Sequence, residues 1–268
     1  MKRSVQGLVL FAAVSGAALL LGVTQGVASP RAPAVQSDDK ADELVDQWIQ
    51  ALGGMEAYAP LKTARFTITT EIYDADSGRL RRTRPRYVTI ARTDLGEISR
   101  IERWEGDDFI QHGWDGVSQW AQMNGEPLAP GDKDFDQARY VSGDVQYWIS
   151  LPFKLRDPGV NLHYRELDDE GRHVVGVTFG EGVGLHDGDT WRYWFEDGKV
   201  WPVQIAYMEE GSDRWNRLRF EDIRSVDGYI FAGRRVHHDE SGRLTKVLYT
   251  HDFEFNPELD FALFSGPG

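Results

Sequence analysis

The stretch Trp148-Ile-Ser-Leu-Pro-Phe-Lys-Leu-Arg-Asp-Pro-Gly159 separates two parts of the sequence that differ in periodicity. Before it, residues 132–150 break the strand pattern, and their apolar positions fit a helix interrupted near Gly143. That helix is expected to end at Leu151, because the residue that precedes a proline leaves the helical region. After the stretch, strand-like runs recur up to Phe255. We therefore predict that a covering segment ends here and that a long β-meander begins.

The meander is predicted from alternating apolar residues and from turns rich in Asp and Gly. Its strands are expected at residues 160–167, 173–179, 190–196, 203–209, 215–222, 229–238 and 244–255. Strands at a spacing of about ten residues indicate an antiparallel sheet or barrel.

Upstream of the stretch, a helix is predicted over residues 40–52, followed by a further helical turn at 55–61. The apolar residues of the first helix recur at three- and four-residue spacing and form one face: Leu44, Val45, Trp48, Ile49 and Leu52. The period then changes to two, which predicts strands at 65–72, 84–92, 97–104, 108–114 and 117–123. The strand with Pro85 is expected at an edge, since proline cannot donate to a ladder.

The N-terminus has the pattern of a secretory signal peptide. Lys2 and Arg3 precede an apolar run over residues 7–23, and small residues follow up to Ala28. We assign residues 1–29 to a signal peptide, 30–39 to a flexible linker and 40–268 to a single β domain, which places the protein in the periplasm or outside the cell. The alternative is an uncleaved N-terminal anchor. After cleavage, no stable membrane span is expected.

Composition excludes several classes of function. The formal net charge of −13 opposes binding to nucleic acid, which carries the same sign. The chain has no cysteine, which excludes disulfides, thiol catalysis, thiolate metal sites and a lipidated N-terminal cysteine.

No motif supports a catalytic residue, a metal or a cofactor, and none is predicted. The glycine-rich segment 180–189 lacks the phosphate-binding pattern and is interpreted as a loop between strands. His237 and His238 are adjacent in a strand and point to opposite faces, so they would not share a metal. A hydrolase that uses Glu181 and His186 in the glycine-rich loop is kept as an alternative.

Two phrases of the sequence, Trp114-Asp-Gly116 with Trp120 and the ending over residues 255–264, resemble the LolA and LolB family of lipoprotein carriers. The turn Trp114-Asp-Gly116 with Trp120 is similar to a recurrent strand start of the family, and Phe255-Asn-Pro-Glu-Leu-Asp-Phe-Ala-Leu-Phe264 resembles its closing phrase. Residues 151–159 and 177–184 are closer still to a secreted bacterial family with a LolA-like fold. The resemblance covers roughly residues 40–265.

The resemblance implies a mainly β (α+β) fold: an incompletely closed antiparallel β-barrel of about 11 strands, with helices that cover the open side. It also implies a non-enzymatic carrier for a lipid, a lipoprotein acyl chain or another apolar ligand. A monomer is expected, and an envelope protein could serve as its partner. The alternative is an envelope scaffold protein whose interior is filled by its own side chains.

Two sets of residues are predicted to form the binding site. The lining of the apolar hollow is expected to comprise Phe66, Ile68, Ile72, Trp191, Tyr193, Phe195, Ile205, Tyr207 and Tyr249. The lid is expected to comprise Leu44, Trp48, Leu52, Trp148, Ile149 and Phe153. These apolar positions could equally form an ordinary packed core, and a shift of one residue would exchange the two faces of a strand.

Overall fold

The computed structural model describes residues 38–94, 96–183 and 188–266. The predicted signal peptide and most of the linker lie outside these residues. The helices are α1 (Asp39–Ala51), α2 (Gly54–Tyr58) and α3 (Lys133–Ser150), with 3-10 helices at Phe153–Arg156 and Phe261–Phe264. The strands are β1 (Thr63–Tyr73), β2 (Leu80–Thr93), β3 (Gly96–Glu105), β4 (Asp108–Trp114), β5 (Gln119–Met123), β6 (Glu126–Pro127), β7 (Val160–Leu167), β8 (His173–Phe179), β9 (Thr190–Phe195), β10 (Gln204–Met208), β11 (Asn216–Val226), β12 (Tyr229–His238) and β13 (Leu244–Phe255).

The strands form one antiparallel sheet that does not close into a barrel. Their order is β6-β5-β4-β3-β2-β1-β13-β12-β11-β10-β9-β8-β7. The two edge strands, β6 and β7, are joined in sequence by α3 and the first 3-10 helix. Residues from α1, α3 and most strands meet in one core cluster. The predicted open, mainly β architecture is therefore confirmed, with thirteen strands in the described part of the chain instead of about eleven.

Both sheet edges are protected from further pairing. Strand β6 has only two residues and contains Pro127. On β7, the amide of Asp38 donates to the oxygen of Leu162 at 3.3 Å, and the amide of Tyr164 donates to Asp38 Oδ2 at 2.8 Å. The residue before α1 thus satisfies backbone groups that would otherwise attract another strand.

Two local predictions are corrected. Helix α3 is continuous through Gly143, although glycine costs about 1 kcal/mol in a helix interior. Buried residues on both sides, Ala138 and Val145 among them, hold the helix against the sheet and outweigh this cost. Strand β2 lies inside the sheet, but Pro85 pairs only with β1, because the ladder with β3 begins at Tyr87.

The closing segment of the chain is fixed to the start of β1. Asn256, with φ of 51°, accepts hydrogen bonds from the amides of Lys62 and Thr63 at 2.7 and 3.1 Å. Its Nδ2 donates to the oxygen of Pro60 at 2.8 Å. One short asparagine side chain, which tolerates the left-handed region, therefore joins the two ends of the domain.

None of the described helices is both long enough and apolar enough to cross a membrane.

Candidate ligand-binding site

A cavity of about 410 Å³ lies between α3, the strands β9 and β10 and the segment after α3. Its volume falls in the range of small-molecule binding pockets. We call it the aromatic pocket. It is lined by Glu97, Arg139, Tyr140, Gly143, Asp144, Tyr147, Trp148, Lys154, Asp157, Val160, Phe179, Gly182, Val183, Asp189, Trp191 and Tyr207.

Four rings form one wall of the aromatic pocket. Tyr207 pairs with Trp191 in the β9–β10 ladder, so both side chains leave the same face. Their rings stack with centroids 4.7 Å apart. Two rings of α3 pack on Trp191: Trp148 at 5.3 Å and Tyr147 at 5.1 Å. Such a wall offers a large apolar surface to a ligand.

The phenols of the pocket are neutral. Burial raises the pKa of Tyr147 and of Tyr207 above the ordinary value. The Tyr147 and Tyr193 hydroxyls are 3.2 Å apart and form a hydrogen bond. The pocket therefore presents rings and hydroxyls without phenolate charge.

Charged residues form the rim of the pocket. Lys154 Nζ lies 2.9 Å from Glu97 Oε1 and 3.1 Å from Asp157 Oδ2. Burial alone would lower the pKa of Lys154, but these two carboxylates outweigh it and raise the pKa. Asp144 accepts a hydrogen bond from Trp148 Nε1 at 2.7 Å.

The Lys154–Glu97 pair gives a prediction for stability. Replacing Lys154, only 16% exposed, by Met leaves the carboxylate of Glu97 without its partner. We expect the free energy of unfolding to fall by about 1–2 kcal/mol, between the values for exposed and buried pairs. Urea denaturation of Lys154→Met measures the change. Lys40→Met, which breaks the exposed Lys40–Glu43 pair, is the control and should cost less than about 0.5 kcal/mol. Equal losses in the two variants would contradict the prediction.

The residues that were predicted to line the hollow lie in different parts of the structure. Trp191 and Tyr207 line the aromatic pocket. Phe66 and Ile68 line a second cavity of about 10 Å³, which Trp148 also borders. The fully buried Tyr193, Phe195 and Ile205 belong to the core, while Ile72 is half-buried and borders neither cavity.

Tyr249 lies on the opposite face of the sheet from the pocket. It pairs with Thr69, and its hydroxyl donates to Glu71 Oε2 at 3.1 Å. A β-bulge at Asp252, with φ of 52°, shifts the register and returns Phe253 to the core face. The prediction that Tyr249 lines the hollow is therefore wrong, because a single period of two does not hold along β13.

The predicted lid residues lie in or against the core. Leu44, Trp48, Leu52, Ile149 and Phe153 are buried, and Trp148 is half-buried and lines both cavities. The 3-10 helix that contains Phe153 is tied to α1, because Arg156 forms ion pairs with Asp42 and Asp46. Movement of these elements stays a prediction.

Of the α3 residues that line the pocket, Trp148 was predicted from the sequence and the others were not. Tyr140, Gly143, Asp144 and Tyr147 line it and follow each other at three- and four-residue spacing. That spacing places them on one helix face, separate from the buried face with Ala138 and Val145. This second helix face is the sequence feature from which the contribution of α3 to the pocket could have been predicted.

The residues of the glycine-rich loop are only partly described. Glu181 is exposed, and His186 lies outside the described residues. Among the residues that the structure describes, no group of three or more histidines or acids is placed to hold a metal ion.

Comparison with known proteins supports the fold. A family of unknown function, DUF6503, matches residues 131–249, which is less than half of the chain. A sequence comparison with curated proteins finds no match. A DUF1329 family protein from Desulfovibrio piger has a similar structure, with a TM-score of 0.55 and 12% identity over 85% of this chain and 98% of that one. A LolA superfamily protein from Nitrosomonas europaea gives a TM-score of 0.52 and 15% identity over 84% of this chain and 97% of that one.

The chain has a LolA-like fold. The predicted resemblance is confirmed at this level. Identities of 12% and 15% establish similarity of the fold alone, because one fold can host different functions.

Proposed function

We propose that the protein is an exported, non-enzymatic carrier that binds the alkyl chain of a lipid or of a lipoprotein in the aromatic pocket. The observation that supports this most is the cavity of about 410 Å³ with a wall of stacked rings, held by a LolA-like fold. Burial of an alkyl chain stabilises by about 0.8 kcal/mol per methylene group. Part of this gain is offset by the freedom that the ligand loses on binding.

The proposal includes export to the periplasm or beyond, since residues 1–29 have the signal-peptide pattern. An envelope protein that supplies or receives the lipid would be the partner. Release of the ligand would follow when α3 shifts or when the partner offers a more favourable site.

A pocket-filling substitution tests the carrier function. Gly143 lies on the pocket face of α3, so Gly143→Phe places a ring inside the cavity. Gln137 is exposed on the same helix, and Gln137→Phe is the matched control. We expect lipid to copurify with the wild type and with Gln137→Phe, and to be absent from Gly143→Phe.

The measurement is mass spectrometry of protein purified from a bacterial periplasm without detergent, intact and after solvent extraction. The intact mass also reports whether residues 1–29 are removed. Calorimetry with decanol should show binding that Gly143→Phe weakens at least about tenfold. A wild-type protein that carries no lipid and binds no alkyl ligand would support the scaffold alternative instead.

A further inference from the structure

Three cationic side chains lie on the face of the sheet that carries the core, near the aromatic pocket. Arg86 of β2 pairs with the core residue Ile68, and Arg235 of β12 pairs with the core residue Leu248. Lys246 precedes Leu248 by two residues, so it shares that face. We call Arg86, Arg235 and Lys246 the cationic cluster. It lies inside a chain whose net charge is −13.

The cluster has more positive charge than its surroundings neutralise. In residues 38–94, 96–183 and 188–266, no carboxylate lies within 4.0 Å of any of its three members. Their neighbours Arg84 and Arg103 are, by contrast, paired with Glu105 and Asp134. Arg235 is only 4% exposed, and its guanidinium instead stacks over Trp148 at 4.7 Å.

One carboxylate acts on all three cations. The charge of Asp144 favours the protonated forms of Arg86, Arg235 and Lys246. Its side chain already accepts the hydrogen bond from Trp148 Nε1. Glu209 also favours the protonated form of Lys246, so two acids act on three bases.

Burial and the positive charge of the cluster lower the pKa of Arg235 and of the neighbouring His237. Burial, together with the charge of Arg86, lowers the pKa of Arg235 to about 10, so it stays charged at neutral pH. Burial and the charges of Lys246 and Arg235 hold the pKa of His237 well below its usual value. The Nε2 of His237 is buried and has no hydrogen-bond partner among the described residues. Buried charges without partners are costly, and a ligand anion would offset that cost.

The cluster adjoins the aromatic pocket through Trp148. This ring lines the pocket, and it also lines the smaller cavity of about 10 Å³ that Arg235 borders. Asp144, which faces the cluster, and Tyr207 line the pocket as well. The charged end of a ligand whose chain occupies the pocket would therefore be separated from Arg235 by the Trp148 ring.

We propose that Arg86, Arg235 and Lys246 bind the anionic headgroup, a phosphate or a carboxylate, of the amphiphile whose alkyl chain fills the aromatic pocket. This inference rests on the proposed carrier function and specifies its ligand class as an anionic amphiphile. Charge-assisted hydrogen bonds from arginine and lysine are the strong bonds available to such a headgroup.

Calorimetric titration of delipidated protein tests the proposal with three probes: decyl phosphate, decanol and inorganic phosphate. We expect decyl phosphate to bind at least about tenfold more tightly than decanol. Arg86→Gln and Lys246→Gln, which leave the stacking of Arg235 on Trp148 in place, should each remove most of this preference and leave the affinity for decanol unchanged. Lys199→Gln, which changes an exposed lysine outside the cluster, is the matched control.

Salt dependence supplies a test on the unmodified protein. Raising sodium chloride from about 50 mM to about 500 mM should weaken decyl phosphate binding and leave decanol binding unchanged. This result does not depend on whether a variant folds.

The outcomes separate the two proposals. Equal affinities for decyl phosphate and decanol, unaffected by the variants, would overturn the headgroup site and leave the carrier function standing. If inorganic phosphate binds as tightly as decyl phosphate, the ligand is not an amphiphile and the cluster binds a free anion instead. Failure of both alkyl probes to bind would overturn the carrier function, and the headgroup site with it.

Discussion

Trp48→Ala is expected to lower the free energy of unfolding by about 3–5 kcal/mol, the range for loss of a large aromatic side chain from a core. Trp48 is fully buried on α1. Its ring lies 5.8 Å from Tyr193, 6.1 Å from Phe195, 5.6 Å from Trp201 and 6.1 Å from Phe220. Its removal leaves a cavity that four fixed rings cannot close.

Urea denaturation followed by circular dichroism measures this loss. The matched control is Trp104→Ala. Trp104 is 58% exposed, so its replacement should lower the free energy of unfolding by less than about 1 kcal/mol. Trp48→Phe should fall between the wild type and Trp48→Ala, since it keeps a ring and removes an Nε1 that has no partner among the described residues. A loss in Trp48→Ala no larger than that in Trp104→Ala would show that α1 is not a structural part of the core.

The burial of Trp48 could be predicted from the sequence because helical periodicity is local. Leu44, Trp48 and Ile49 fall on one face whatever lies opposite them, and all three are buried. The strand pattern was informative for the same reason. Alternation identified most strands of the meander within two residues, because each strand needs only its own apolar and polar positions.

The inward face of each strand could not be predicted with the same certainty. Alternation defines two faces of a strand but does not show which face points to the core. A bulge also moves the later residues of a strand to the opposite face. This is why Tyr249 was assigned to the hollow although it bonds Glu71 on the other face. Arg235 was also overlooked, although it lies four residues after Phe231 and therefore on the same face of β12.

The pocket itself depends on three segments that are distant in sequence. Glu97 belongs to β3, Tyr147 to α3 and Trp191 to β9. Their approach is set by how the sheet curves around α3, which no local pattern encodes. The sequence therefore predicted a hollow and some of its rings, whereas the position of the charged groups required the structure.

Acidification is expected to destabilise the protein through His112, by about 3 kcal/mol between pH 6.5 and pH 4. His112 lies on β4 and is buried. Burial, together with the charge of Arg103, lowers its pKa to about 4, against 6.5 for an ordinary histidine. Asp134 favours the protonated ring but does not outweigh these two effects, and the Nε2 of His112 has no hydrogen-bond partner among the described residues.

The direction of this pH dependence follows from proton uptake by the unfolded chain. Below pH 6.5 the unfolded state binds a proton at His112 and the folded state does not, so the free energy of unfolding falls with pH down to about 4. Above pH 6.5 neither state is protonated and the contribution of His112 is constant. His237, whose pKa is also lowered by burial, acts in the same direction.

Urea denaturation at several pH values between 7 and 4 tests this in the wild type and in His112→Gln. The variant should lose stability less steeply on acidification, with a difference approaching about 1.4 kcal/mol per pH unit in the middle of the range. Gln122→Ala, on the neighbouring strand β5, controls for a general loss of stability and should run parallel to the wild type. If His112→Gln is as sensitive to acid as the wild type, the proton is taken up elsewhere, and His237→Gln becomes the variant that must flatten the profile.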